Sequence, residues 1–329
     1  MVFSTTSVQA AVTIEPISDM TDADSCLDLI QQERMTLEPA PLRAQRIAVR
    51  LPSLALLLHA TDKRLQTRTR LPDDVAAITA LGPLAAGTID GMAIEAGKML
   101  LAGPGAEARF VVEAGYQSIV MLAAPDFIAG LLSRLPGTDR LALPSGVQVL
   151  TANGPKSQAL FQTGKRIADA AAQRPELFDR DRPERVLAEA ELLDTLLAAL
   201  LTTARSAPQG GGKTHLSHDR LVRLAERFVL DHLAERVHVA DLCCATDVSE
   251  RTLEIACRKV TGLSPVAYFT RLRLERARRA LLDAVPGSTR VSKVALRCGF
   301  WHFGEFSAAY RRSFGEAPSE TLRRQPGPR

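Results

Sequence analysis

A four-residue pattern occurs twice in the last third of this chain, and it limits the fold more than any other feature of the sequence. Leu253, Arg258, Gly262 and Pro265 are spaced five, four and three apart, and Phe306, Arg311, Gly315 and Pro318 repeat that spacing 53 residues later. Ala256 maps onto Ala309 in the same register. A duplicated helix–turn–helix unit explains this more economically than chance.

The first unit runs from Val239 to Thr261. Ser249 is suited to cap its second helix, and Glu250 complements the partial positive charge of the first turn. Leu253, Cys257 and Val260 fall on the inner face, whereas Arg251, Thr252, Glu254, Ile255, Arg258 and Lys259 fall on the outer one. In the second unit, Val291, Val294 and Ala295 mark a short helix that stops at Gly299. Phe303, Phe306 and Tyr310 share one face of the helix that follows, which predicts a mainly core role for the aromatics. Trp301 and His302 stand at its entry, and its outer face presents Gly304, Glu305, Ala308, Arg311 and Arg312. Small residues there let the backbone approach a grooved partner, and arginines at the far end grip phosphates. Between the units, Ser264 to Asp283 reads as one helix about 30 Å long. Successive major-groove faces of DNA lie about 34–36 Å apart, so such a rod can set two recognition helices into adjacent grooves. Arg271, Arg273, Arg276, Arg278 and Arg279 on this rod add positive charge.

Charge supports the same division. Residues 215–329 hold 20 Lys and Arg against 13 Asp and Glu, whereas residues 1–214 hold 21 against 24. A basic back half behind a mildly acidic front half suggests a polyanionic partner. The Gly- and Pro-containing stretch Ser206 to His218 reads as a flexible linker, dividing the chain into 1–205, 206–218 and 219–329. Five cysteines (Cys26, Cys243, Cys244, Cys257, Cys298) with no C-x-x-C pair argue for free thiols rather than a disulfide framework or a zinc site. No apolar run reaches the ~18 residues of a membrane span, and no basic residue precedes Arg34, so a secretory signal is not expected. A cytoplasmic protein is expected.

The front half alternates short apolar runs with turn signals over residues 44–152, as a β-barrel or sandwich does. Thr21 to Gln32 reads as a helix capped by Thr21. Before the linker, Val186, Ala190, Leu193, Leu197 and Leu200 form one apolar stripe on a helix, facing either the domain's own core or a dimer partner. Residues 1–205 contain a single histidine, His59, and neither a metal-ligand cluster nor a nucleotide or nucleophile fingerprint. No catalytic residue, cofactor or metal is expected. Arg46, Arg50 and Arg109 are candidate pocket residues that the sequence does not rank.

The segment from RTLEIACRKVTGLSPVAYF to GFWHFGEFSAAYRRSFGEAPSE resembles the DNA-binding domain of AraC/XylS-type bacterial transcription regulators, over about a hundred residues. Its GFWH-x-G-x-F string is most similar to the branch containing the ethanolamine-utilisation regulator. The resemblance implies an α+β chain: a β-rich N-terminal domain, a cupin-like barrel or sandwich with flanking helices, followed by an all-α domain with two helix–turn–helix units. It implies an activator with a double-stranded DNA operator, RNA polymerase, a small-molecule effector and a second copy as partners, and no membrane. Members commonly carry an aromatic where Cys257 stands and arginine where Ile255 and Ala308 stand, which shifts readout there from guanine towards a thymine methyl. The competing readings are an effector-independent DNA-binding protein and a cupin-type enzyme fused to a DNA-binding domain.

Overall fold

A computed structural model describes residues 10–17, 30–38, 44–135, 141–205, 212–285 and 287–323. The front half is two antiparallel sheets. In the first, β1 (Val12–Ile17), β3 (Ala44–Arg50), β4 (Ala55–Thr61), β11 (Gln117–Ala123), β6 (Ala76–Leu81), β9 (Lys98–Ala102), β12 (Val147–Thr151) and β13 (Ala204–Arg205) lie side by side. The second runs β2 (Gln31–Thr36), β5 (Leu65–Arg70), β10 (Glu107–Val112), β7 (Ala86–Ile89) and β8 (Met92–Glu95). The expected run of short strands is therefore present.

Three helices, α1 (Pro125–Ser133), α2 (Gly154–Gln173) and α3 (Pro183–Leu200), contribute to the core on the outer face of the first sheet. Leu56, Leu58, Ile78 and Met121 meet Leu160, Phe161, Leu192 and Leu196 there. All six residues of β6 are buried, because helices cover one face of this sheet and the second sheet covers the other. That is why the strands read as continuous apolar runs rather than alternating ones. Between the sheets lies a cavity of about 120 Å³, lined by Arg34, His59, Thr67, Thr79, Phe110 and Val120 among others.

The back half is helical: α4 (Gly212–Asp231), α5 (Val239–Thr246), α6 (Glu250–Thr261), α7 (Pro265–Leu282), α8 (Val291–Arg297), α9 (Phe303–Phe314) and α10 (Pro318–Arg323). It packs on the second sheet. Met35, Ile94 and Val111 share one core with Val222, Ala225, Val229, Leu253 and Tyr268. A separate core joins Leu274, Ala277 and Leu281 to Val294, Phe306 and Tyr310.

Three expectations need correction. Gln31 and Gln32 belong to β2 rather than to a helix, and 18–29 lie outside the described residues. The expected linker is helical from Gly212 onward, while 206–211 lie outside the described residues. On α3 the buried stripe is Glu189, Leu192, Leu196, Ala199 and Leu200. Leu200 thus belongs to the domain's own core, Leu193 and Leu197 are half-buried against it, and only Val186 and Ala190 of the expected stripe are exposed. Cys257 and Cys298 are buried, Cys243 half-buried and Cys244 exposed, whereas Cys26 lies outside the described residues. Among the described residues no helix is long and apolar enough to cross a membrane, and no His, Cys, Asp and Glu group could hold a metal.

Candidate nucleic-acid interface

The sequence repeat is a repeat of local structure. Both α6 and α9 are 12 residues long, and each ends at a left-handed glycine, Gly262 at φ +78° and Gly315 at φ +76°. The two glycine N–H groups close the last turn on the carbonyls of Arg258 and Arg311, at 2.9 and 2.8 Å. Pro265 and Pro318 then begin α7 and α10. Leu253 and Phe306 occupy the equivalent buried position.

On α6 the Ser249 hydroxyl accepts from the Thr252 N–H at 3.2 Å and so caps the helix. Leu253, Cys257 and Val260 are buried, whereas Arg251, Thr252, Ile255, Arg258 and Lys259 are exposed and Glu254 is half-buried. The outward set expected from the sequence is therefore on one accessible face. Two of its members are already engaged, since Arg258 Nε donates to the Glu254 carboxylate at 2.6 Å. The far end of α6 meets the β-sheet domain: a Cβ on Gly262 would fall 1.7 Å from Arg64 Nη1, the mobile tip of a long side chain, so it is the φ of +78° that requires glycine there. Arg64 is in turn paired with Glu113 at 3.0 Å.

On α9, His302, Gly304, Glu305, Ala308, Arg311 and Arg312 are all exposed. Phe306 and Tyr310 are core residues as expected, but Phe303 is not. Phe300 takes the inner place instead, with its ring centroid 4.9 Å from that of Phe306.

The arginines of α7 depart most from the sequence expectation. They make contacts within the chain. Arg278 is buried, donates to Glu316 at 2.9 Å and lies 4.6 Å from the Phe314 ring centroid. Arg271 is buried against Thr36 and lies 3.4 Å from Glu275. Arg273 donates to the Glu235 carbonyl at 3.1 Å, and Arg276 and Arg279 reach Glu33 at 3.3 and 3.4 Å. The rod between α6 and α9 is thus fastened to β2, to α9 and to the segment after it.

Sequence reading did not foresee the charged cluster that clamps α4 to the second sheet. Arg109 on β10 is 3% exposed, and its guanidinium meets Asp219 and, at 2.7 Å, the fully buried Glu226. Glu226 also receives Arg68 and the Tyr268 hydroxyl, while Gln66 lies 2.9 Å from that hydroxyl. Arg223 completes the cluster by joining Asp219 at 2.7 Å to Asp90 at 2.6 Å. Burial alone would lower the pKa of Arg109, yet Glu226, Tyr268 and Asp219 raise it above the usual arginine range. The Tyr268 hydroxyl is held well above its ordinary pKa, first by burial and then by the Glu226 charge. Arg109, considered a pocket residue from sequence, therefore points away from the cavity. Arg46 is the one near it, donating at 2.6 Å to Gln32 on the cavity wall.

Residues 242–324 match the helix-turn-helix domain family. Over 106 residues the chain is 36% identical to the probable thc operon regulatory protein of Rhodococcus erythropolis, covering 32% of each chain. Over 204 residues it is 30% identical to the HTH-type transcriptional activator RhaS of Citrobacter koseri, covering 61% of this chain and 66% of that one. A solved transcriptional regulator with an AraC-type DNA-binding domain from Chromobacterium violaceum is 30% identical, over 34% of this chain and 98% of that chain, with a TM-score of 0.31. The chain spans only 32% of the length of the Rhodococcus relative, and 32% of the XylDLEGF operon transcriptional activator 3 of Pseudomonas putida, to which it is 35% identical over 109 residues. These relatives are regulators of transcription, not enzymes.

Proposed function

We propose that this chain, whose residues 242–324 are a helix-turn-helix DNA-binding domain of the AraC type, is a sequence-specific transcription activator whose grip on its operator responds to a small molecule held between the two sheets. Residues 219–329 read DNA, and residues 1–205, as a cupin-like domain, sense and dimerise. RNA polymerase is the partner that activation requires, and the cytoplasm is where the operator lies.

One observation carries the coupling. Side chains alternate between the two faces of a strand. On β2, β5 and β10, Gln32, Arg34, Thr67, Thr69, Ala108 and Phe110 turn into the cavity. Their sequence neighbours Glu33, Gln66, Arg68 and Arg109 turn the other way, onto α4 and α7. The wall of the cavity and the wall that holds the DNA-binding half are two faces of the same three strands. A molecule that shifts these strands shifts the anchors directly.

The cavity of about 120 Å³ suits a compact molecule, since an apolar cavity of roughly 150 Å³ accepts benzene. No Asp or Glu lines it among the described residues. An amine, the class that the ethanolamine-regulator branch would suggest, finds no carboxylate there. A neutral or anionic molecule of about one ring fits better. In a thermal-shift screen of the intact chain, such molecules are expected to raise the melting temperature and change operator occupancy. A broad set that changes neither removes the sensing role.

The two recognition helices divide the work. Arg251 lies at the N-terminal end of α6, where helix–turn–helix proteins reach base edges, and bidentate pairing with guanine is worth about 1–3 kcal/mol of discrimination. Arg312 lies at the far end of α9, placed for phosphate. Arg251→Ala is expected to narrow the affinity gap between operator and scrambled duplex. Arg312→Ala is expected to weaken both alike and reduce the salt slope by about one unit. Titrations at several salt concentrations separate the two, and an unchanged gap for Arg251→Ala removes that residue from the readers.

Dimerisation is assigned to the outer face of α3, where Val186 is 57% and Leu187 67% exposed. Val186→Glu is expected to give folded monomers in sedimentation at micromolar concentration, with an unchanged circular dichroism spectrum. A variant that still sediments as a dimer places the seam elsewhere.

A further inference from the structure

The chain's single tryptophan is not in its core. Trp301 is 56% exposed and Phe303 is 44% exposed, although the neighbouring Phe300, Phe306, Tyr310 and Phe314 pack together beneath α9. Burying a large apolar side chain is ordinarily favourable, and here that stabilisation is forgone in two residues at the start of one helix. The reason is local. Gly299 at φ +76° turns the chain between α8 and α9, and Phe300 fills the inner place, leaving Trp301 and Phe303 on the outside around His302. The same helix carries exposed Arg311 and Arg312 at its other end. The start of α9 thus exposes two aromatic side chains beside the acidic Glu305, and its last turn is cationic.

Those two ends match the parts of a DNA duplex. Phosphates border the groove, and the major-groove edge of thymine presents the one apolar group among the bases, its 5-methyl, which Phe and other apolar side chains contact. Residues at the N-terminal end of a recognition helix are the ones that reach base edges. We propose that Trp301 and Phe303 form an apolar wedge that enters the major groove with α9 and selects thymine through its methyl group. This rests on the reading that α9 is a recognition helix. The half-site under α9 is then chosen by hydrophobic contact, while the half-site under α6 is read by Arg251. Ile255, exposed on the outer face of α6 at the position equivalent to Ala308, supplies an apolar group there.

The test uses the intact chain and a duplex that it enriches from a random-sequence library, with thymines replaced one at a time by uracil. Removing a contacted methyl is expected to weaken wild-type binding about fourfold, the equivalent of ~0.8 kcal/mol per buried methyl-sized group. Trp301→Ala and Phe303→Ala are expected to bind thymine and uracil duplexes equally, with affinity for scrambled DNA unchanged. Phe303→Leu is expected to retain part of the discrimination. Because Trp301 is the only tryptophan, its emission is expected to shift, and its quenching by acrylamide to fall, on adding the enriched duplex but not on adding buffer.

Variants that keep the wild-type thymine-to-uracil ratio overturn the wedge. Variants that keep that ratio but lose transcription in a reconstituted assay assign the patch to RNA polymerase instead, which also overturns it. If the wild-type chain enriches no sequence at all, sequence-specific DNA reading fails and the wedge with it. Enrichment with no thymine preference overturns the wedge alone. Both side chains are exposed, so unchanged circular dichroism and melting are expected for every variant.

Discussion

Replacing Arg109 with alanine is expected to lower the unfolding free energy of the intact chain by about 3–5 kcal/mol, the range for breaking a buried ion pair by removing one partner. The cost arises from the partners left behind. Glu226 is fully buried and Asp219 nearly so, and each would lose its most buried cation. The lower end of the range is favoured, because Asp219 retains Arg223 at 2.7 Å and Glu226 retains Arg68. Arg166→Ala is the control: the Arg166–Glu191 pair is more than half exposed on the arginine side, and such pairs are worth about 0–1 kcal/mol. Urea denaturation followed by circular dichroism measures both, without the screening that a guanidinium salt brings. Arg109→Met combined with Glu226→Gln should cost less than the two single changes added together, since one removes the charge that the other strands. A loss below about 1 kcal/mol for Arg109→Ala would mean that water or another cation enters the cluster, and that it does not clamp α4 to the sheet. If the loss is as expected, the same variant should also show operator binding that no longer responds to a molecule in the cavity.

The DNA-reading half was legible because its signals are local. Ser249, Ser264 and Pro265 each specify the geometry of a helix start, and α6 and α7 begin where the sequence put them. The Arg109 cluster was not legible, because its members stand on β5, β10, α4 and α7. Arg109 and Glu226 are 117 residues apart and Glu226 and Tyr268 are 42 apart, so no periodicity links them. One signal was available. Glu226 sits among Val222, Ala225 and Val229, the inner positions of α4, and an acid on an inner face requires a cation from elsewhere.

On α3 the difficulty was different. The run LAEAELLDTLLAALL is so rich in apolar residues that two adjacent stripes fit the helical period equally well. The structure selects the one displaced by a single residue, which contains Glu189. A pattern search passes over that glutamate, yet its carboxylate accepts the Ser53 N–H at 2.8 Å and is satisfied in the interior. Of the other stripe, Val186 and Ala190 are thereby left outside. Phe303 was misread for a related reason: the helical period places it beside Phe306, but at the first residue of a helix the incoming chain decides what lies beneath, and here Phe300 already lies there.

Gly304 separates folding from function more sharply than any other position. It lies in the first turn of α9, and a Cβ built there meets nothing within 4 Å. Its φ is not among the positive values of the chain, so other residues fit the backbone without strain. Replacing an exposed helical glycine with a better helix former gains up to about 1 kcal/mol, and an acid in the first turn adds a favourable interaction with the helix dipole. Gly304→Glu is therefore expected to melt at or above the wild-type temperature. Its effect on DNA binding runs the other way. A long side chain at Gly304, one of the two small positions on this face, holds α9 away from the bases, and its carboxylate adds to the charge of Glu305 towards the phosphates. Losing two base contacts of about 1–3 kcal/mol each lowers operator affinity roughly hundredfold. Gly304→Ala should fall between the two, because a methyl group displaces the helix by less. The measurement pairs a melting curve with an operator titration for each variant. Wild-type affinity in the glutamate variant would show that α9 stays clear of the duplex and that α6 alone carries recognition.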